Sequence, residues 1–242
     1  MIKINTDIHI HTMVSQHAYS TIAENVKYAS EIGLEAVAIT DHGPGTTDGA
    51  QKWHFTTMKK FVPEYLYGVR VLKGIECSFT NSDAILDMTD EKVFKKLDLV
   101  IASSHESVYW PTDGDVYTQM VLKGMDNPHI DILGHVDRVP VSADYALIAK
   151  TASEKGKVIE LNEASFIRPP FEENADRVRK LMIECKKYGT KISVSSDSHF
   201  FVTVGKYESS IRLLQEIDFD INNIINKDLK SLTEFLDKKN GM

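Results

Sequence analysis

A short apolar run near the start of the sequence reads Asp7-Ile8-His9-Ile10-His11. Its β-branched residues alternate with polar ones, which predicts a β-strand. Side chains two positions apart lie on the same side of a strand, so we expect His9 and His11 on one side and Ile8 and Ile10 on the other. A histidine pair with this spacing can hold one metal ion without distorting the backbone, but taken alone it is weak evidence for a site.

Six further apolar runs follow, and helical patterns separate them. These runs cover residues 36–40, 71–75, 99–102, 130–133, 158–161 and 192–194. After the first strand, Thr21 and Glu24 form a capping-box sequence and Gly33 ends the helix, while Gly189 ends a second amphipathic helix. A terminal helix is predicted over residues 228–239. Alternation of strand and helix predicts an α/β fold with a parallel sheet, and the lack of a linker predicts one domain over residues 1–242.

The composition limits the classes of protein to consider. Of the 242 residues, 26% are charged, and the formal net charge of −7 disfavours a basic nucleic-acid-binding surface. No run is long enough to cross a membrane, and the first residues lack the pattern of a signal peptide. Two cysteines, Cys77 and Cys185, are too few for a disulfide framework. We therefore expect a cytoplasmic protein with no nucleic-acid or membrane partner, and a homo-oligomer is left open.

Potential metal ligands follow nearly every predicted strand. After His9 and His11, the candidates are His17, His42, Glu76, His105, His135, Asp197 and His199. The C-terminal ends of parallel barrel strands converge on one face, where active sites are built. A single histidine at a strand end is usually a packing or hydrogen-bonding residue, but buried polar groups at six of seven strand ends would cost free energy without compensation. We therefore predict one polynuclear metal centre.

These residues, in this order, resemble the PHP (polymerase and histidinol phosphatase) superfamily, and within it the YcdX-type phosphatases. The motifs that carry the resemblance are Asp7-Ile8-His9-Ile10-His11, Thr40-Asp41-His42-Gly43-Pro44, Gly74-Ile75-Glu76 and Ser196-Asp197-Ser198-His199, and they span nearly the whole chain. One departure is the segment from Gly134 to Arg138, where the family pattern would be His-Pro-Gly. The resemblance implies a distorted (β/α)7 barrel of parallel strands with the metal site at their C-terminal face.

The resemblance also implies three divalent metal ions and a division of the ligands among them. His9, His11 and Asp197 would hold the first ion, Glu76 would bridge to a second ion held by His105 and His135, and His17, His42 and His199 would hold the third. Zinc is the first expectation, with manganese or iron as alternatives for an imidazole-rich site. We also expect Asp7 and Asp41 to accept N–H groups from the ligating imidazoles.

Charge then favours a phosphate ester as the substrate. Seven imidazoles and two carboxylates leave three divalent ions largely uncompensated, which suits a small phosphomonoester dianion better than a neutral amide. We expect hydrolysis by a metal-bound hydroxide at the trinuclear centre, with Glu76 and Asp197 as catalytic residues through the metals they hold. The candidate substrate contacts follow the fifth and sixth predicted strands: Arg138, Asn162, Glu163 and Arg168.

Three other functions stay open at this point. A phosphodiesterase or exonuclease would use a similar centre, but the chain shows no basic groove. Amide hydrolysis on an amidohydrolase-type barrel also begins with a His-x-His pair, although His17, His42 and His199 have no place in it. A non-catalytic metal-binding module predicts filled coordination shells and no turnover.

Overall fold

A computed structural model of the protein describes residues 2–239, so residues 1 and 240–242 of the predicted single domain lie outside the described residues. The strands are β1 (Thr6–Ile10), β2 (Ala36–Ile39), β3 (Tyr65–Leu66), β4 (Val69–Ser78), β5 (Leu99–Ser103), β6 (Ile132–Leu133), β7 (Val158–Asn162) and β8 (Ile192–Ser195). The helices are α1 (Ile22–Glu31), α2 (Lys52–Phe61), α3 (Glu91–Phe94), α4 (Gly114–Gly124), α5 (Tyr145–Lys155), α6 (Ala164–Ile167), α7 (Phe171–Tyr188), α8 (Glu208–Glu216) and α9 (Leu229–Lys239).

Seven parallel strands form a nearly closed barrel. Their order is β1-β2-β4-β5-β6-β7-β8. β1 approaches β8 through a bridge between Ile10 and Ser198, where the His11 N–H donates to the Ser198 carbonyl oxygen over 2.8 Å. The predicted distorted (β/α)7 barrel is confirmed. The sequence did not predict β3, which pairs antiparallel with β4 across a turn at Tyr67 and Gly68, both with positive φ.

The helices follow the predicted start and stop signals. At the start of α1 the Thr21 hydroxyl accepts the Glu24 N–H, and the Thr21 N–H donates back to the Glu24 carboxylate, which confirms the capping box. At the end of α7, Gly189 adopts the left-handed conformation with φ of 63°.

No helix between residues 2 and 239 is both long and apolar enough to cross a membrane.

Two clusters of buried apolar residues make up the core. The larger cluster packs between the strands and the helices. The smaller one, here called the inner cluster, consists of Ile8, Ala36, Ala38, Leu72, Leu99, Ile101, Ile132 and Val158 from the strands with Ile225, Leu232 and Leu236. It fills the inside of the barrel. Because Lys239 of α9 contacts Asp98 and Asp131 at the starts of β5 and β6, α9 covers the N-terminal end of the barrel.

β1 departs from regular alternation. Its register with β2 shifts between Asp7 and Ile10, which is the signature of a β-bulge. Ile8 packs in the inner cluster, whereas Ile10 packs in the larger cluster between the strands and the helices. The prediction that both side chains point to the same side is therefore wrong. The two histidines nevertheless lie close together, with the His9 and His11 ring centroids 5.1 Å apart.

Candidate metal centre

The nine residues predicted as metal ligands lie together at the C-terminal ends of the strands, and we call this set the candidate centre. His9 and Glu76 lie inside β1 and β4, and the others sit in the loops that follow the strands: His11, His17, His42, His105, His135, Asp197 and His199. His17 is exposed, His105 and His199 are partly buried, and the remaining six are buried. The fold therefore brings together residues that are as far apart in sequence as His9 and His199.

Glu76 lies in the middle of the candidate centre. Its Oε2 atom is 3.3 Å from His9 Nε2, 3.6 Å from His11 Nε2 and 2.8 Å from His42 Nδ1, and its Oε1 atom is 3.3 Å from His105 Nε2 and 2.9 Å from His135 Nε2. Burial alone would raise the pKa of Glu76, but the surrounding imidazoles, His9 first, hold it well below its ordinary value. Glu76 is thus an ionised carboxylate shared among five rings.

Asp197 forms the second acidic position. Its Oδ1 atom is 3.1 Å from His11 Nε2 and 3.7 Å from His9 Nε2, while its Oδ2 atom accepts a hydrogen bond of 2.6 Å from Arg138 Nη2. Burial would raise the pKa of Asp197, yet Arg138 and His9 hold it well below its ordinary value. Asp197 and His135 have φ of 54° and 27°, a region that strains residues other than glycine.

A third group of rings lies toward the solvent. The ligand atoms of His11, His42 and His199 all lie within 4.8 Å of one another. The His17 ring centroid is 4.4 Å from that of His199 and 5.2 Å from that of His42. His17 Nδ1 also contacts Asp48, a partly buried carboxylate that the sequence analysis did not single out.

The donor atoms fit a set of divalent cations. Several buried imidazole nitrogens of the candidate centre have no hydrogen-bond partner within the described residues: His9 Nε2, His11 Nδ1, His105 Nε2, His135 Nδ1 and His199 Nε2. Each such atom costs about 1–3 kcal/mol when it is left unpaired. Imidazole nitrogens and carboxylate oxygens are the donors that zinc, iron and manganese take in proteins. A metal centre would satisfy these atoms together.

The second ring nitrogens of the imidazoles have other hydrogen-bond partners than the sequence predicts. Asp7 accepts from Ser196 and from the Gly205 N–H, and Asp41 accepts from Thr12 and Ser15. Neither carboxylate accepts from a ring of the candidate centre in the part of the chain that the structure describes, so this expectation is wrong. The observed partners are Glu160 for His9, Ser78 for His105 and Asp48 for His17.

Glu160 is a second site residue that the sequence analysis missed. It follows Val158 of the inner cluster by two positions in β7, so its side chain points into the barrel. Its carboxylate accepts from His9 Nδ1 at 2.6 Å, from the His135 N–H at 2.8 Å and from the Ser195 hydroxyl. Burial would raise its pKa, but His9 lowers it to about 2. The available signal was one acid inside the otherwise apolar run 158–161.

The four candidate substrate contacts lie in different surroundings. Arg138 Nη2 donates to Asn162 Oδ1 at 2.8 Å as well as to Asp197. Asn162 also donates to Glu160 at 3.0 Å and accepts from the Ala164 N–H at 2.9 Å, so both of its amide atoms are engaged. Arg168 is exposed, and the neighbouring Arg138 guanidinium lowers its pKa.

Glu163 does not face the candidate centre. Its carboxylate oxygens accept from the Ser209 N–H at 2.9 Å and from the Ser210 N–H at 2.8 Å, in the first turn of α8. A carboxylate there compensates the unpaired N–H groups of a helix start. The expectation that Glu163 touches the substrate is therefore replaced by a role in anchoring α8.

The protein is therefore a parallel (β/α) barrel. It carries a candidate metal centre of buried imidazoles and carboxylates at the ends of its strands. Residues 7–164 match the model of the PHP domain family. The chain belongs to this family.

Similar proteins cover nearly the whole length of the chain. A probable phosphatase of Acetivibrio thermocellus is 37% identical over 238 residues, which are 98% of this chain and 97% of that protein. A probable phosphatase of Clostridium acetobutylicum is 37% identical over 237 residues, or 98% and 96%. The fold is similar to that of histidinol phosphate phosphatase from Lactococcus lactis, solved with zinc, L-histidinol and phosphate. That structure has a TM-score of 0.64 and 19% identity, and the match covers 89% of this chain and 94% of that one.

Proposed function

We propose that this protein is a metal-dependent phosphatase that hydrolyses a small phosphomonoester. The observation that carries the proposal is the set of buried imidazole nitrogens without a hydrogen-bond partner around Glu76 and Asp197, which bound cations would satisfy. The names of the probable phosphatases support the reaction class. Two ligand carboxylates, with Glu160 beside His9, compensate only part of the charge of several divalent ions, and a phosphate dianion matches what remains.

The proposed division of ligands is the one implied by the family. His9, His11 and Asp197 would hold one ion, Glu76 with His105 and His135 a second, and His17, His42 and His199 a third, with zinc as the first candidate. When bound, the ions would lower the pKa of water toward neutrality and neutralise phosphoryl oxygens. Glu76 and Asp197 are catalytic in this sense, because their oxygens face the imidazole nitrogens from which the centre is built.

The chain's own cations have separate tasks in this proposal. Arg138 holds Asp197 Oδ2, which leaves Oδ1 directed toward His9 and His11. Arg168 is exposed beside it and presents a guanidinium that can bind a phosphate through two N–H groups. Asn162 positions Arg138 and Glu160 instead of meeting the substrate, since its amide atoms are already bonded.

A panel of substrates tests the proposal. The protein is freed of metal, reloaded with zinc, and assayed on phosphomonoesters, phosphodiesters and amides. We expect hydrolysis of monoesters, lost on chelation and restored by metal. Cleavage of diesters alone would favour the phosphodiesterase or exonuclease alternative, and amide cleavage alone would favour the amidohydrolase alternative. Tight metal binding without turnover of any substrate would favour the alternative of a non-catalytic metal-binding module.

A further inference from the structure

Arg168 lies in the loop between α6 and α7, where two prolines limit the backbone hydrogen bonds. Its N–H donates to the Ala164 carbonyl oxygen at 3.2 Å, but Pro169 and Pro170 follow and have no N–H to donate. The Arg168 side chain is exposed, and fixing it on a phosphate costs conformational freedom. A contact that fixes the backbone from which this side chain extends would lower the cost.

Asn174, near the start of α7, supplies such a contact. Its Nδ2 atom donates to the Arg168 carbonyl oxygen at 2.9 Å, and its Oδ1 atom accepts from Arg177 Nη2. A guanidinium can only donate and a carbonyl oxygen can only accept, so these two partners determine which way the amide points. Asn174 is buried, and a buried hydrogen bond is costly to lose.

Arg177, one turn further along α7, connects the same face of the helix to the loop after β6. Its Nε atom donates to the Asp137 carbonyl oxygen at 2.8 Å, and residues three positions apart share one face of a helix. Asn174 and Arg177 therefore hold the backbone at Arg168 and directly before Arg138. The two arginines are close to each other, because the Arg138 guanidinium lowers the pKa of Arg168.

Neither side chain caps α7. Pro170 stands at the N-cap position without a side-chain hydrogen bond, and Asn174 and Arg177 reach outside the helix instead. We propose that Asn174 is a positioning residue for Arg168. Oriented by Arg177, it holds the loop so that the Arg168 guanidinium stands where it meets the phosphate group of the substrate. This inference rests on the proposed function.

A double-mutant cycle tests whether Asn174 acts through Arg168. Asn174→Ala removes both amide groups, whereas Asn174→Asp keeps the acceptor for Arg177 and loses only the donor to Arg168. We expect each variant to raise the KM for a phosphomonoester about tenfold, with kcat changed by less than about twofold. The dissociation constant for inorganic phosphate, measured by calorimetry on the zinc-loaded protein, should rise equally. In the Arg168→Ala background both substitutions should change these constants by less than about twofold.

Stability is measured separately by urea unfolding. Asn174→Asp should keep the stability of the wild type, because an acidic side chain is favourable near the start of a helix and still accepts from Arg177. This variant therefore decides the test even where the alanine variant does not fold. Arg179→Ala is the control on the same helix, since Arg179 pairs with Glu216 at the surface over 2.7 Å, and it should leave both constants unchanged.

Two results would overturn the inference while wild-type hydrolysis leaves the proposed function standing. One is phosphate binding that the Asn174 variants weaken equally with and without Arg168, which would assign Asn174 a general structural or electrostatic role. The other is wild-type constants in both Asn174 variants. A wild type that neither hydrolyses phosphomonoesters nor binds phosphate would overturn the proposed function and the inference together.

Discussion

The two ends of the barrel interior are built in opposite ways. At the N-terminal end, strand residues such as Ile8 and Leu72 pack against Leu232 and Leu236 of α9, and all are buried and apolar. At the C-terminal end, most of the imidazoles and carboxylates are also buried, several of their atoms lack partners within the described residues, and His135 has a positive φ. One end therefore stabilises the fold, while the other carries an unfavourable arrangement that a ligand would compensate.

The largest expected effect is at the polar end. Glu76→Gln keeps the size of the side chain but removes the charge that faces five imidazoles. We expect kcat/KM for a phosphomonoester to fall at least 1,000-fold, which corresponds to about 4 kcal/mol, and less metal to be retained. Glu163→Gln, another buried carboxylate, is the matched control. Equal loss of activity in both variants would contradict a special role for Glu76.

The next effect is at the apolar end. Leu232→Ala removes a fully buried side chain from the inner cluster, and such a truncation costs about 3 kcal/mol of unfolding free energy. Urea unfolding of the metal-free protein measures this cost, and metal content should not change. Leu229→Ala, in the same helix at a partly buried position, should cost clearly less. A large loss of metal in the Leu232 variant would show that the two ends are not independent.

Glu160→Gln tests whether a carboxylate that hydrogen-bonds to the imidazoles strengthens metal binding at the polar end. A glutamine can replace only part of the acceptor set that His9, Ser195 and the His135 N–H use. Loss of such a partner typically weakens metal binding 10- to 100-fold, or about 2 kcal/mol. Competition with a chromogenic chelator measures the affinity directly. Unchanged affinity would remove Glu160 from the account of the centre.

The smallest expected effect is a loss of stability at Glu163, which anchors α8 and does not belong to the candidate centre. Glu163→Gln weakens the hydrogen bonds to the first turn of α8, and we expect a loss of about 1 kcal/mol in unfolding free energy. Metal affinity and the KM for a phosphomonoester should stay at wild-type values. A raised KM without loss of stability would return Glu163 to the substrate site.

The strand ends could be predicted from the sequence because each signal is local. β-branched runs mark the strands, and parallel pairing sends their C-terminal ends to one face, so the sequence predicts His105 and His135 near Glu76. The helix boundaries at Thr21 and Gly189 were equally local. A resemblance of motifs added the division of ligands, which the sequence pattern alone does not contain.

Contacts between distant strands could not be predicted in this way. Glu160 meets His9 across 151 positions of sequence, and Arg138 meets Asp197 across 59. Both contacts depend on how the barrel closes and on the direction of each side chain. The bulge in β1 also depends on a contact between strands, because the pairing with β2 determines it. No local sequence pattern predicts it.

On the proposed function, the polar end of the barrel holds several divalent cations. The most direct measurement is elemental analysis of the purified protein after zinc loading and extensive dialysis, expressed as ions per chain. We expect three ions per chain for the wild type and a smaller number for Glu76→Gln. Fewer than two ions per chain in the wild type would contradict it.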